Sequence, residues 1–184
     1  MERLEIDNIL KLEELNNELE FERATSVYGK LRWMVKEDYS LEPIRRHLKM
    51  LIKKYEEDHW SNELKISDEQ LKESDLAEKI ATSENLFIQK RKEIIKQKLE
   101  ENGLSQQDLA KILGHRPNYM SELINGVRPF SRDDIVVLHK IFNIDFDILV
   151  PPFLKDEVKR HIKTTIGELK KNSIKIKLED LESV

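Results

Sequence analysis

Three of the chain's five glycines, Gly103, Gly114 and Gly126, fall within 24 residues, at spacings of eleven and twelve. Each follows an apolar run of helical period, where a helix C-terminus calls for a left-handed residue that glycine adopts without strain. This punctuation predicts three successive short helices. The first runs over 88–102 with Ile94, Ile95 and Leu99 inward. The second opens at Ser105, which pairs with Asp108 as a capping box, and buries Leu109, Ala110 and Ile112. The third has Pro117 in its first turn and turns Met120, Leu123 and Ile124 inward, leaving Asn118, Tyr119, Ser121 and Glu122 outside. Ser131 with Asp134 then starts a fourth helix bearing Ile135, Val136, Leu138 and Ile141, and Phe146, Ile148 and Leu149 close the core in a fifth.

The rest of the chain reads as helix too. From Ile9, the stripe Leu12, Leu15 and Leu19 predicts a long amphipathic helix continuing to Val35. After a turn over 36–40, Pro43 opens a second helix with Ile44, Leu48, Leu51, Ile52 and Tyr55 on one face. The expected class is therefore all-α, with an N-terminal helical hairpin over 1–60 and a helical connector over 61–86 that Ser67 and Gln70 cap. A five-helix domain over 87–150 and a C-terminal segment over 151–184 follow. The last begins after Pro151-Pro152, carries Val158, Ile162, Ile166 and Leu169 on one helical stripe, and ends in the strand-like alternation of Ile174, Ile176 and Leu178.

Composition narrows the function classes. With no cysteine among 184 residues, disulfides, thiol nucleophiles, iron–sulfur clusters and thiolate zinc sites are excluded. Apolar runs are far shorter than the ~20 residues of a membrane span, and the opening Met1-Glu2-Arg3-Leu4-Glu5 is unlike a secretory leader. A cytoplasmic protein is expected. The net charge of −4 is uneven: 21 acidic residues against 14 basic give −7 over 1–85, while 86–150 carries +1 and 151–184 carries +2.

Small Ala110 lets one helix cross closely over the next, and Gly114 permits the sharp turn between them, so the two form a helix-turn-helix whose second member can enter a DNA major groove. Leu104-Ser105-Gln106-Gln107-Asp108-Leu109-Ala110-Lys111-Ile112-Leu113-Gly114, followed by Met120-Ser121-Glu122-Leu123-Ile124-Asn125-Gly126-Val127-Arg128-Pro129, resembles the Cro/cI (Xre) helix-turn-helix family. The resemblance implies a lambda-repressor-like domain that binds operator DNA as a homodimer. It implies base contacts from Pro117, Asn118, Ser121 and Glu122, with Asn118 pairing to adenine and Glu122 accepting from cytosine. Backbone contacts would come from Ser105, Gln106, Arg116, Tyr119, Asn125, Arg128 and Arg132. Arg116 and Pro117 depart from the family pattern of a hydroxyl cap and a polar reader, so any contact from Pro117 is apolar. Because +1 attracts DNA weakly, binding is expected to lean on local cations, with Lys90, Arg91 and Lys92 added to those above.

The segment Leu51-Ile52-Lys53-Lys54-Tyr55-Glu56-Glu57-Asp58-His59-Trp60, ahead of a C-terminal Cro/cI domain, is similar to antitoxins of the HigA type. That resemblance implies a small, basic, RelE/HigB-like mRNA-cleaving toxin as partner, and the −7 of residues 1–85 suits one. The alternative is a stand-alone Xre regulator whose N-terminal helices take a ligand or another protein. No enzyme, metal or cofactor is expected: His47, His59, His115, His139 and His161 form no i, i+4 pair, and no phosphate loop or nucleophile motif is present.

Overall fold

The computed structural model describes residues 6–62, 66–154 and 156–169, and the described residues are helical with no strand. The helices are α1 (Ile6–Ile9), α2 (Glu18–Met34), α3 (Glu42–His59), α4 (Asp68–Glu101), α5 (Gln106–Ile112), α6 (Pro117–Ile124), α7 (Arg132–Phe142), α8 (Phe146–Leu149) and α9 (Asp156–Glu168). Helices α1 to α8 belong to one compact unit and α9 to another. Taken by itself, α9 carries the expected stripe, with Ile162 and Ile166 half-buried and Val158 and Leu169 exposed. The strand-like tail of 173–184 lies outside the described residues.

Two apolar clusters build the main unit. One gathers Ile6, Ile9, Leu15, Ala24, Val27, Leu31, Met34, Leu41, Leu48, Leu51 and Tyr55 around α2 and α3. The other gathers Ile95, Leu99, Leu109, Ala110, Met120, Leu123, Ile124, Phe130, Leu138, Phe142, Ile144 and Leu149. Two residues expected inside, Ile112 and Phe146, are instead exposed, as is Ile141 on α7. The ring of Phe146 stacks on His139 at 4.0 Å, so it covers a neighbouring helix rather than filling the core.

The helix boundaries correct the sequence reading in two places. The expected helix over 9–35 is interrupted, because Asn17 caps α2 by accepting from the Glu20 backbone N–H at 2.9 Å. The Glu20 carboxylate reaches back to the Asn16 backbone N–H at 2.9 Å, so the pair closes the start of the helix from both sides. The second correction concerns the connector. No glycine or proline stands between Ser67 and Gly103, and α4 runs unbroken for 34 residues, through the boundary expected at residue 86. Ser67 does cap it, accepting from the Gln70 N–H at 3.1 Å. The first half of α4 packs along α2, where Arg23 pairs with Glu84 at 2.7 Å and Ser26 donates to Asn85 at 2.7 Å.

Gly103, Gly114 and Gly126 all take the left-handed conformation, with φ of 64°, 71° and 71°. At each, the glycine's own amide and the one after it turn back onto the preceding helix, as in His115 N–H to Ala110 carbonyl at 2.8 Å. Gly126 is held by space as well, since a β-carbon there would lie 2.7 Å from the side chain of Ile88 on α4.

Two stability outcomes follow. Gly126→Ala meets left-handed strain of about 1–2 kcal/mol plus the Ile88 contact, and should lower the midpoint of chemical denaturation clearly. Gly29→Ala, inside α2 with nothing near its added methyl, should raise it by about 1 kcal/mol. A second test uses Glu18, buried at 3% exposure, where burial pushes the carboxyl above its usual 4.5 although the Tyr55 hydroxyl donates to it at 3.0 Å. A carboxyl raised on folding penalises the fold when ionised, fully above the raised value and not below the unfolded one. Glu18→Gln keeps an oxygen for Tyr55, so it should stabilise at pH 7, with the gain vanishing as pH falls below 4.5.

Candidate nucleic-acid interface

The two central helices of the second cluster meet as α5 and α6. Ser105 caps α5 by accepting from the Asp108 N–H at 3.2 Å, while the Asp108 carboxylate accepts from the Ser105 N–H at 3.0 Å. Ala110 is 1% exposed where α6 crosses, which leaves no room for a larger side chain. Pro117 sets the first turn of α6, and Met120, Leu123 and Ile124 point into the core. His115, in the turn between the helices, donates from Nε2 to the buried carboxylate of Asp134 at 2.9 Å, tying the turn to α7. Asp134 also closes the capping box with Ser131. The orientation of α6 is therefore fixed from its turn, its buried face and its glycine end.

Residues 95–149 match the helix-turn-helix family HTH_3. The match covers 55 of the 184 residues, and this segment is similar to helix-turn-helix domains. No curated protein and no solved structure matches the chain. The match runs from the last two turns of α4 to the end of α8 and supports a DNA-binding transcription regulator. No described helix is long and apolar enough to cross a membrane, and the described residues hold no cluster of three or more potential metal ligands.

On the helix-turn-helix, Arg116, Pro117, Asn118 and Tyr119 are exposed along the start of α6, with Ser105 and Arg132 exposed on flanking helices. Gln106, Ser121, Asn125 and Arg128 are half-buried. Two expected contacts are displaced. Glu122 is buried at 7% exposure, where it accepts from Arg128 Nε, so its carboxylate does not face outward to a cytosine. The chain folds back at this point, and the Glu122 carbonyl accepts from the Val127 N–H at 3.1 Å. Arg91, expected among the local cations, is 2% exposed, with its guanidinium 4.9 Å from the Phe130 ring and Nη1 donating to the Leu149 carbonyl at 3.5 Å. It braces α4 against α8 instead of meeting a phosphate. Lys92 is partly desolvated, which lowers its pKa, and donates to Asn125 Oδ1 at 2.7 Å.

The sequence reading also missed what covers the outer face of α6. Asn118 Nδ2 donates to Asp38 Oδ2 at 2.8 Å, across 80 residues of chain. Arg128 is shared between Glu122 and Asp7, and its guanidinium lies 5.1 Å from the Tyr119 ring. Val127 leaves its own domain and packs into the N-terminal cluster with Ile6 and Ile9. The Arg128 hydrogen bond holds the Asp7 carboxyl below its usual 3.8, and hydrogen bonds from Ser40 and then Asn118 do the same for Asp38. Burial works against the Arg128 cation, yet Asp7 and Glu122 together raise its pKa.

Arg128→Ala leaves Glu122 buried without its partner and should cost about 1–3 kcal/mol in denaturation, whereas Asp7→Asn, at an exposed carboxylate, should cost under about 1 kcal/mol. Asp7 and Asp38 have lowered pKa values, so their stabilisation is present above pH 3.8 and fades as pH falls through the lower folded values. An acid titration of the unfolding midpoint should be shallower in the Asp7→Asn/Asp38→Asn double variant than in the natural chain.

Proposed function

We propose that the protein is a cytoplasmic repressor of the antitoxin kind, a homodimer that reads a palindromic operator and holds a basic, RelE/HigB-like mRNA-cleaving toxin on its acidic N-terminal helices. It acts by binding and not by catalysis. The observation that carries the partner half is a crevice of about 540 Å³ where α2, the end of α3 and the start of α4 meet. Its apolar surface comes from Phe21 and Trp60, and its rim from Glu56, Glu57, Ser61 and Ser74. Apolar walls beneath carboxylates suit the methylene stem and charged head of an arginine or lysine. These residues lie in the segment whose net charge is −7.

The DNA half rests on the exposed start of α6. Asn118 can pair with adenine through N6 and N7, Ser121 reaches an adjacent edge, and Pro117 offers apolar contact. Ser105, Gln106, Arg116, Tyr119, Asn125 and Arg132 sit to meet the sugar–phosphate backbone, with Arg128 joining them when its carboxylate partners yield.

A second reading has its own support. A crevice of about 490 Å³ is lined from α2 by Lys30 and Trp33, from α4 by Asn85 and Lys92, and from the end of α6 by Ser121 and Asn125. A stand-alone Xre regulator would use such a crevice for a small effector, because its walls belong to both halves of the chain.

Co-expression with the adjacent open reading frame separates the two. The antitoxin reading expects a neighbour that stops growth alone, is neutralised by this chain and copurifies with it; a harmless neighbour sinks that reading and leaves the second. On DNA from its own promoter, Asn118→Ala should lose about 1–3 kcal/mol of discrimination at an adenine with little change in salt dependence. Arg132→Ala should weaken all sequences alike and reduce the slope of log affinity against log salt by about one.

A further inference from the structure

The outward polar groups of α6 and the turn after it are engaged by the first 40 residues of the same chain. Asn118 gives its side-chain N–H to Asp38, and Arg128 gives a guanidinium N–H to Asp7. Both are the donors that DNA would use: an amide N–H to a base acceptor, and a guanidinium to a phosphate oxygen. A carboxylate offers the same negatively charged, oxygen-only acceptor surface as a phosphate, so each aspartate stands chemically in the place of a nucleic-acid group.

The two aspartates are aimed by their own local structure. Asp38 caps the 3-10 turn Tyr39–Leu41, accepting from the Ser40 N–H at 3.0 Å and the Ser40 hydroxyl at 2.6 Å through Oδ1, which leaves Oδ2 for Asn118. Asp7 rides on α1, which Ile6 and Ile9 anchor beside Val127. Below Asp38, Glu37 adds a third carboxylate near Lys92. The apolar anchor lies at Val127, clear of the start of α6, while the Asp38–Asn118 bond is exposed and the Asp7 side chain is 65% exposed. Exposed polar pairs are weak and exchange readily, so they can yield to a polyanion without unfolding the cluster beneath them.

We propose that α1 and the turn over 36–41 form an intramolecular lock on the helix-turn-helix, in which Asp7 and Asp38 occupy the groups of Arg128 and Asn118 until DNA displaces them. The lock rests on the DNA-reading half of the proposed function. It makes the acidic N-terminal region a competitor for the DNA site, so that whatever draws Asp7 and Asp38 away strengthens DNA binding.

The test uses the full chain and a fragment of its own promoter at fixed salt. Asp7→Ala combined with Asp38→Ser removes both acceptors while a serine still caps the 3-10 turn. The control, Asp58→Ala with Asp75→Ala, removes the same charge from exposed positions on α3 and α4. The lock variant should bind at least tenfold tighter than the control, with both variants folded by circular dichroism. Amide hydrogen exchange over 31–41 in the natural chain should speed up when promoter DNA is added. Equal affinity of the two variants, or unchanged exchange in a natural chain that binds DNA, overturns the lock and leaves the DNA reading standing. If the natural chain and both variants retard no DNA even at low salt, the DNA reading fails and the lock falls with it.

Discussion

One unbroken helix of the main unit packs along α2 at its start and enters the helix-turn-helix core at its end. At about 1.5 Å per residue, the 34 residues of α4 span roughly 50 Å. Ala77, Ala81 and Ile88 on its first two-thirds are buried, in the stretch that packs along α2, and Ile95 and Leu99 on its last turns bury into the helix-turn-helix core. The contact between Ile88 and Gly126 lies where the two regimes meet. It brings the end of the candidate recognition helix within van der Waals reach of the helix that packs along α2.

Charge follows the same division. The acid of the chain is concentrated in its first 85 residues, at a net −7. In the fold it has two local uses. Some carboxylates rim a crevice with an apolar floor, and others face the donors of α6. Cations that seemed available to DNA are partly committed inside: Arg91 to an aromatic ring and a carbonyl, Lys92 to Asn125, and Arg128 to two carboxylates. The free electrostatic attraction of this helix-turn-helix is smaller than a count of its lysines and arginines suggests.

What could be read from the sequence was local. The left-handed glycines, the boxes at Ser105 and Ser131 and the cap at Ser67 are each set by a few consecutive residues, and all three kinds of signal were legible. The break at Asn17 was equally local, and its signal, Asn17 with Glu20 three residues on, was present but hidden under a leucine stripe of convincing period. Glu122 and Arg91 were misplaced for a different reason. A charged residue reads as outward, the more so beside polar neighbours such as Lys90, Lys92 and Ser121, and only the partners brought by the fold reveal it as buried. The pairings of Asp38 with Asn118 and Asp7 with Arg128 span 80 and 121 residues, a separation at which no periodicity carries information.

The continuity of α4 has a practical consequence for dissecting this protein. Cutting at residue 87, where family resemblance alone would place the start of the DNA-binding part, would sever a helix in mid-course. It would strip Val127 of the N-terminal cluster it is buried in and leave Ile88 at a raw end. A fragment cut that way would carry a sticky apolar edge beside the helix-turn-helix, and self-association at that edge would say nothing of how the full chain assembles.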